Sequence, residues 1–99
     1  MEVKILRVSR NELELEIKGE SHTLLNLLQK TLLEDEDVEL AGYKIPHRLL
    51  ETANFYIKTG ENKTPFEALF EAIDKIKKES SEFRKTFEKA VKDYEKGKE

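Results

Sequence analysis

The sequence predicts an α+β fold: a two-layer ββαββα domain, a four-stranded sheet with two helices on one face, the second of them long. Three observations predict it. Glu12 to Lys18 alternates strictly, with Leu13, Leu15 and Ile17 against Glu12, Glu14, Glu16 and Lys18, the mark of a strand with one wet face. Leucines at Leu24, Leu25, Leu27, Leu28, Leu32 and Leu33 follow helical spacing. Thr64-Pro65-Phe66-Glu67 is a capping box with proline at the first helical position. Strands, helix, strands, helix in that order place helices on one face of a mostly antiparallel sheet.

The elements follow in order. Val3 and Ile5, then Leu6 and Val8, read as a first strand whose apolar face shifts, as a bulge would shift it. Ser9-Arg10-Asn11 is turn chemistry, so the first two strands form a hairpin. Gly19-Glu20-Ser21 ends the second strand, and Ser21 is a good N-cap for the helix from His22 to about Leu33. At 100° per residue its first five leucines cover about 160°, wider than the roughly 100° a surface helix needs. The extra width predicts contact with something besides its own sheet.

Glu34-Asp35-Glu36-Asp37 is an acidic loop at a helix C-terminus, where the dipole disfavours negative charge. It is expected either solvated or facing basic residues of a partner. Val38 to Ile45 is a third strand, with Ala41, Tyr43 and Ile45 sharing a face. Pro46 ends it, and Pro46 to Leu50 forms a connection. Ala53 to Thr59 is a fourth strand with Phe55 and Ile57 on one face, and Thr59 to Lys63 is the turn into the capping box.

From Thr64 to about Lys96 the pattern reads as one uninterrupted helix. Apolar or small residues fall at Leu69, Ile73, Ile76, Ser80, Phe83, Phe87, Ala90 and Tyr94, an alternation of three and four that lines a helix–helix seam. Phe66, Phe70 and Val91 widen it. Such a helix spans about 48 Å, whereas a compact domain of this size is about 34 Å across. Its far half is therefore expected to project beyond its own domain and to require a second chain.

Composition limits the function. The 99 residues make one domain, 1–99. Charged residues are 39% of the chain, mostly Lys and Glu, with no Cys or Trp and one Met, a profile that fits a thermophile's intracellular protein. Without cysteine there are no disulfides and no thiolate metal sites. The strand-like start Met1-Glu2-Val3-Lys4-Ile5 is not a secretory signal, and no apolar run is long enough to span a bilayer. A cytoplasmic location is expected. The net charge of −3 argues against bulk attraction to nucleic acid.

No constellation for chemistry emerges. His22 and His47 stand alone without metal-ligand spacing. Ser21 and His22 are neighbours, and neighbours on a helix do not face each other as nucleophile and base. His22 and Asn26 are read as structural hydrogen-bonding groups. The glutamates are spread over wet faces, and no glycine-rich phosphate loop exists. Residues 64–99 carry nine basic and nine acidic side chains, so the lysines of the last helix form a salt-bridged face, with Glu71–Lys75, Asp74–Lys78 and Glu88–Lys92 as favourable pairs.

Gly19-Glu20-Ser21-His22-Thr23-Leu24-Leu25-Asn26-Leu27-Leu28 and Ala41-Gly42-Tyr43-Lys44-Ile45-Pro46-His47 resemble the archaeal RNA polymerase subunit L family. The resemblance extends over Phe55-Tyr56-Ile57-Lys58-Thr59 and the Thr64-Pro65 helix start, and so over essentially the whole chain. One departure is His47-Arg48-Leu49, where the family has His-Pro-Leu. The resemblance implies a non-catalytic subunit with no cofactor and no small-molecule ligand. It would form a heterodimer with the larger alpha-like RNA polymerase subunit, and the pair would be the platform for the large catalytic subunits. Contact with nucleic acid would come only through the whole polymerase, and there would be none with membranes. The expected partner interface is Leu24, Leu25, Leu28, Leu32, Phe70, Ile73, Ile76, Phe83, Phe87, Val91 and Tyr94. A homodimeric regulatory or RNA-binding module of the same framework, and a small acid–base enzyme using His22 and His47, are the other readings considered.

Overall fold

The computed structural model describes residues 2–19, 22–47, 52–76 and 81–97, with side chains described for 2–19, 23–46, 52–76 and 85–97. The chain runs β1 (Glu2–Val8), β2 (Glu12–Lys18), α1 (His22–Leu33), β3 (Val38–His47), β4 (Thr52–Thr59), α2 (Pro65–Ile76) and α3 (Ser81–Gly97). The four strands form one antiparallel sheet in the order β1-β2-β4-β3.

Strand alternation sets both faces of the sheet. On the inner face, Ile5, Leu15, Phe55 and Tyr43 lie in one cross-strand row, and Val8, Leu13, Ile57 and Ala41 in another. Tyr43 and Phe55 stack with ring centroids 6.0 Å apart, within the range of productive aromatic pairs. The register of β1 slips between Ile5 and Arg7. Leu6 is the extra residue, left exposed, so Ile5 and Val8 both point inward. The shift of apolar face seen in the sequence is this bulge.

The open face is a ladder of alternating charge. Glu12, Glu14 and Glu16 run down β2. Lys4 of β1 stands opposite Glu16, Arg7 opposite Glu14, and Lys58 of β4 opposite Glu12. Arg7 also reaches Glu12 at 3.2 Å. Opposed cross-strand charges stabilise where like charges would repel. Tyr56 lies over Gly42 on this face; a Cβ there would sit 2.8 Å from the tyrosine oxygen.

The three helices cover the inner face side by side. α1 packs on β3, α2 on β4 and β2, and α3 on the edge strand β1, with α2 between the other two. Gly19, at φ +81°, turns the chain out of β2 toward α1, a conformation natural to glycine. α2 begins as the capping box requires. The Thr64 N–H donates to Glu67 Oε1 at 2.8 Å, and the Glu67 N–H donates to Thr64 Oγ1 at 3.2 Å. Pro65 is buried behind the box.

Two departures from the sequence reading concern the ends of elements. β3 runs on through Pro46 to His47, because an edge strand with a register shift after Lys44 tolerates a residue lacking an N–H. More important, the single long helix expected over 64–96 is divided. α2 ends at Ile76 and α3 starts again at Ser81. α3 lies on its own β1, with Phe87 at 1% and Ala90 at 5% exposure. The far half of the seam does not project, and the chain keeps a radius of gyration of 12.7 Å and extents of 37 × 34 × 28 Å. Ser21, Ser80 and the connection 48–50, where the chain departs from His-Pro-Leu, lie outside the described residues.

Candidate partner interface

The surface most unlike an ordinary solvated one lies along α1 and at its groove with α2. The breadth of the leucine arc decides it. Leu25, Leu28 and Leu32 fill the core, at 2%, 1% and 0% exposure. The remaining leucines are left over: Leu24 is half-buried, Leu27 is 44% exposed and Leu33 is 49% exposed. Leu27 and Ile76 line a groove between α1 and α2, rimmed by Lys30, Glu34 and Lys75. Thr31 sits at its base and returns its hydroxyl proton to the Leu27 carbonyl at 2.8 Å, which leaves the groove floor without a free polar group of its own.

Two hydrogen-bonded clamps fix the helices that carry this surface. On the far side of α1, the Tyr43 hydroxyl donates to Asn26 Oδ1 at 2.8 Å and ties the helix to β3. At the other end Lys63 joins the α1–β3 loop to α2: its ammonium donates to Asp35 Oδ2 at 2.7 Å and to Glu71 Oε1 at 2.5 Å. Asn62 donates to Asp37 Oδ1 at 3.3 Å, and the Asp37 N–H donates to Asp35 Oδ1 at 2.9 Å. The hydrogen bond from Lys63 holds the Asp35 carboxyl below the usual carboxylate range. Asp35, and then Glu71, raise the Lys63 ammonium above the ordinary lysine value. The backbone N–H of Thr64 likewise lowers Glu67.

The acidic loop is thus half structural. Asp35 and Asp37 are held by the chain itself, and only Glu34 and Glu36 face out. Glu71, expected to pair with Lys75, takes Lys63 instead.

The residues expected at the interface fall into three groups. Leu24, Phe70, Ile76, Val91 and Tyr94 are half-buried and reachable from outside. Leu25, Leu28, Leu32, Ile73 and Phe87 lie in the chain's own core. Phe83 lies outside the described side chains, as do His22 and His47. Phe70 and Val91 line a shallow groove between α2 and α3. Leu27 and Leu33 are absent from the interface expected on sequence, although the wide leucine arc was their signal. Among the described residues no cluster of three histidine, cysteine, aspartate or glutamate side chains is arranged to hold a metal ion. Among them, too, no helix is long and apolar enough to cross a membrane.

The Rpb3/Rpb11 dimerisation domain of RNA polymerase matches residues 12–86 of this chain. The chain belongs to that family. The dimerisation-domain stretch opens at the first residue of β2 and runs through α1, α2 and the start of α3, so the α1–α2 groove lies wholly within it. Its relatives agree. The DNA-directed RNA polymerase subunit Rpo11 of Methanococcoides burtonii is 46% identical over 91 residues, 92% of this chain and 99% of that one. The Rpo11 of Archaeoglobus fulgidus is 51% identical over 76 residues, 77% of this chain and 87% of its own. The crystal structure of DNA-directed RNA polymerase subunit L from Thermoplasma acidophilum superposes with a TM-score of 0.68, covering 95% of this chain and 92% of that one. At 24% identity that likeness speaks for the fold of this Rpb3/Rpb11-family domain and for nothing finer.

Proposed function

We propose that the chain is the small, non-catalytic member of a heterodimer within DNA-directed RNA polymerase. Its partner is the larger alpha-like subunit of that enzyme, and the pair forms the platform on which the large catalytic subunits assemble. One observation carries the reading: a chain of a dimerisation-domain family leaves Leu24, Leu27 and Ile76 open on its helices, around a groove with no free polar floor. Apolar residues gathered at one place on helices mark a surface that another chain covers. Phe70, Val91 and Tyr94 extend the assigned contact across α2 and α3, with Phe83 assigned from its heptad position. Leu25, Leu28, Leu32, Ile73 and Phe87 support that surface from below.

The absence of a catalytic role is supported by where the carboxylates are. Glu12, Glu14 and Glu16 face bases across the sheet, and Asp35 and Glu71 are bound to Lys63. An RNA-binding sheet would present several aromatic rings for stacking. The described part of this open face presents Tyr56 among charges.

The test is a calorimetric titration of the chain with the larger alpha-like subunit. Leu27→Glu with Ile76→Ala should weaken binding by at least about 2 kcal/mol, roughly thirtyfold, as loss of an interface hot spot does. Lys85→Ala with Lys92→Ala, both exposed on α3, should change it by less than about 1 kcal/mol. Circular dichroism should report the same fold in both. Unchanged affinity for the leucine–isoleucine pair would refute the assignment.

A further inference from the structure

We infer that the chain without its larger partner forms a two-fold homodimer by exchanging α3, each copy seating Phe87, Ala90 and Tyr94 on the β1 of the other. This goes beyond the heterodimer proposed above and does not depend on it.

The first support is how α3 is attached. It closes the core over the edge strand, yet between α3 and β1 a cavity of about 480 Å3 remains, lined by Val3, Lys4, Ile5, Ala90, Asp93, Tyr94 and Gly97. Protein cores leave few voids larger than a water molecule, so this seat is loosely filled and separates at small cost. The second support is the sequence between the helices. From Pro65 to Gly97 there is no intervening proline or glycine, and the alternation of three and four runs unbroken from Leu69 to Tyr94. Nothing there forbids one helix of about 50 Å. Such a helix outruns the 37 Å extent of the folded chain. It would carry Phe87 off its own β1, which then needs another cover.

A second copy offers the matching one. The α3–β1 contact of one chain is rebuilt between two, and the exchange is reciprocal, as a closed two-fold pair requires. The dimer regains every contact of the closed monomer and adds a turn of helix, against the entropy of association, so its population rises with concentration. β1 and α3 beyond Thr86 lie outside the stretch matched by the family. Exchange therefore leaves the α1–α2 groove untouched.

The absence of cysteine makes introduced thiols unique. Lys4 and Asp93 are exposed and line the same cavity from opposite sides. Copies bearing Lys4→Cys would be mixed with differently tagged copies bearing Asp93→Cys, treated with a short bis-maleimide, and weighed by light scattering from micromolar to millimolar concentration. The expected result is a doubled mass at high concentration and a cross-link joining the two tags. Glu79→Pro forbids a continuous helix, and should weaken the dimer at least about a hundredfold. In the Lys4→Cys, Asp93→Cys double variant it should leave only cross-links within one chain. A monomer at every concentration, or a dimer without the cross-link between tags, would overturn the inference. So would a dimer indifferent to Glu79→Pro with native circular dichroism. Loss of the homodimer through Leu27→Glu would also overturn it, by placing the pairing in the α1–α2 groove.

Discussion

Lys63 is a single side chain that holds three segments at once. Its ammonium is only partly accessible and joins the α1–β3 loop through Asp35 to α2 through Glu71, one residue before the capping box. Lys63→Met should destabilise the chain by about 1–3 kcal/mol, the cost of losing hydrogen bonds to charged groups, measured by urea unfolding at neutral pH. The difference between wild type and variant should also depend on pH. Asp35 has a lowered value in the fold, so its contribution is present above the ordinary carboxylate range and is lost as pH falls below about 4. Lys63 has a raised value, so its contribution is present below about 10.4 and is lost only on going further up. The stability difference should therefore form a plateau between about pH 5 and pH 10 and shrink on either side; a flat difference across the acid limb would show that the pairing does not act. The sequence gives no sign of this clamp, since Asp35 and Lys63 are 28 positions apart and a run of acids reads the same whether free or held. The Thr64–Glu67 box, three residues apart, was legible at once because its chemistry is local.

Among the elements, α3 separates what a periodic pattern can tell from what it cannot. Spacing identifies the apolar stripe of Phe87, Ala90 and Tyr94, and the structure does bury Phe87 and Ala90. Spacing does not say whose surface covers a stripe. Here the break between α2 and α3 turns it back onto β1, where a continuous helix would have carried it away. Phe87→Ala should consequently destabilise the isolated chain itself by about 3–5 kcal/mol. Denaturation of the chain without any partner is the measurement, and a melting curve matching wild type would place Phe87 outside the core. Lys92→Ala, exposed on the same helix, should stay within about 0.5 kcal/mol. For α1 the pattern told more. An arc too wide for one sheet was the sign that Leu24 and Leu27 would be left over.

For the whole molecule, the strand pairings and the helix layer were readable because each strand alternates and each turn carries its own residues. The sheet order β1-β2-β4-β3 follows from two antiparallel hairpins set side by side. The assignment of function rests on a surface and a family, and it makes a claim about chemistry too. His22→Ala and His47→Ala, introduced into reconstituted polymerase, should leave the rate of nucleotide addition within about threefold once assembly is complete, with any loss confined to assembly yield. A hundredfold fall in the rate of fully assembled enzyme would contradict a non-catalytic role.

The placement of α3 over β1 also bears on how the protein is made. β1 is the first element to leave the ribosome and α3 the last, yet Val3 and Ile5 meet Ala90 and Tyr94 across one cavity. At the usual 5–20 residues per second, the edge strand waits several seconds for its cover, longer than a hairpin takes to form. During that interval the nascent chain shows an apolar edge blunted only by the Leu6 bulge and the charges of Lys4 and Arg7. Those three residues guard the polypeptide before it is finished, and substitutions that flatten or neutralise them should show first as poor yield of newly made protein rather than as lower stability of the purified one.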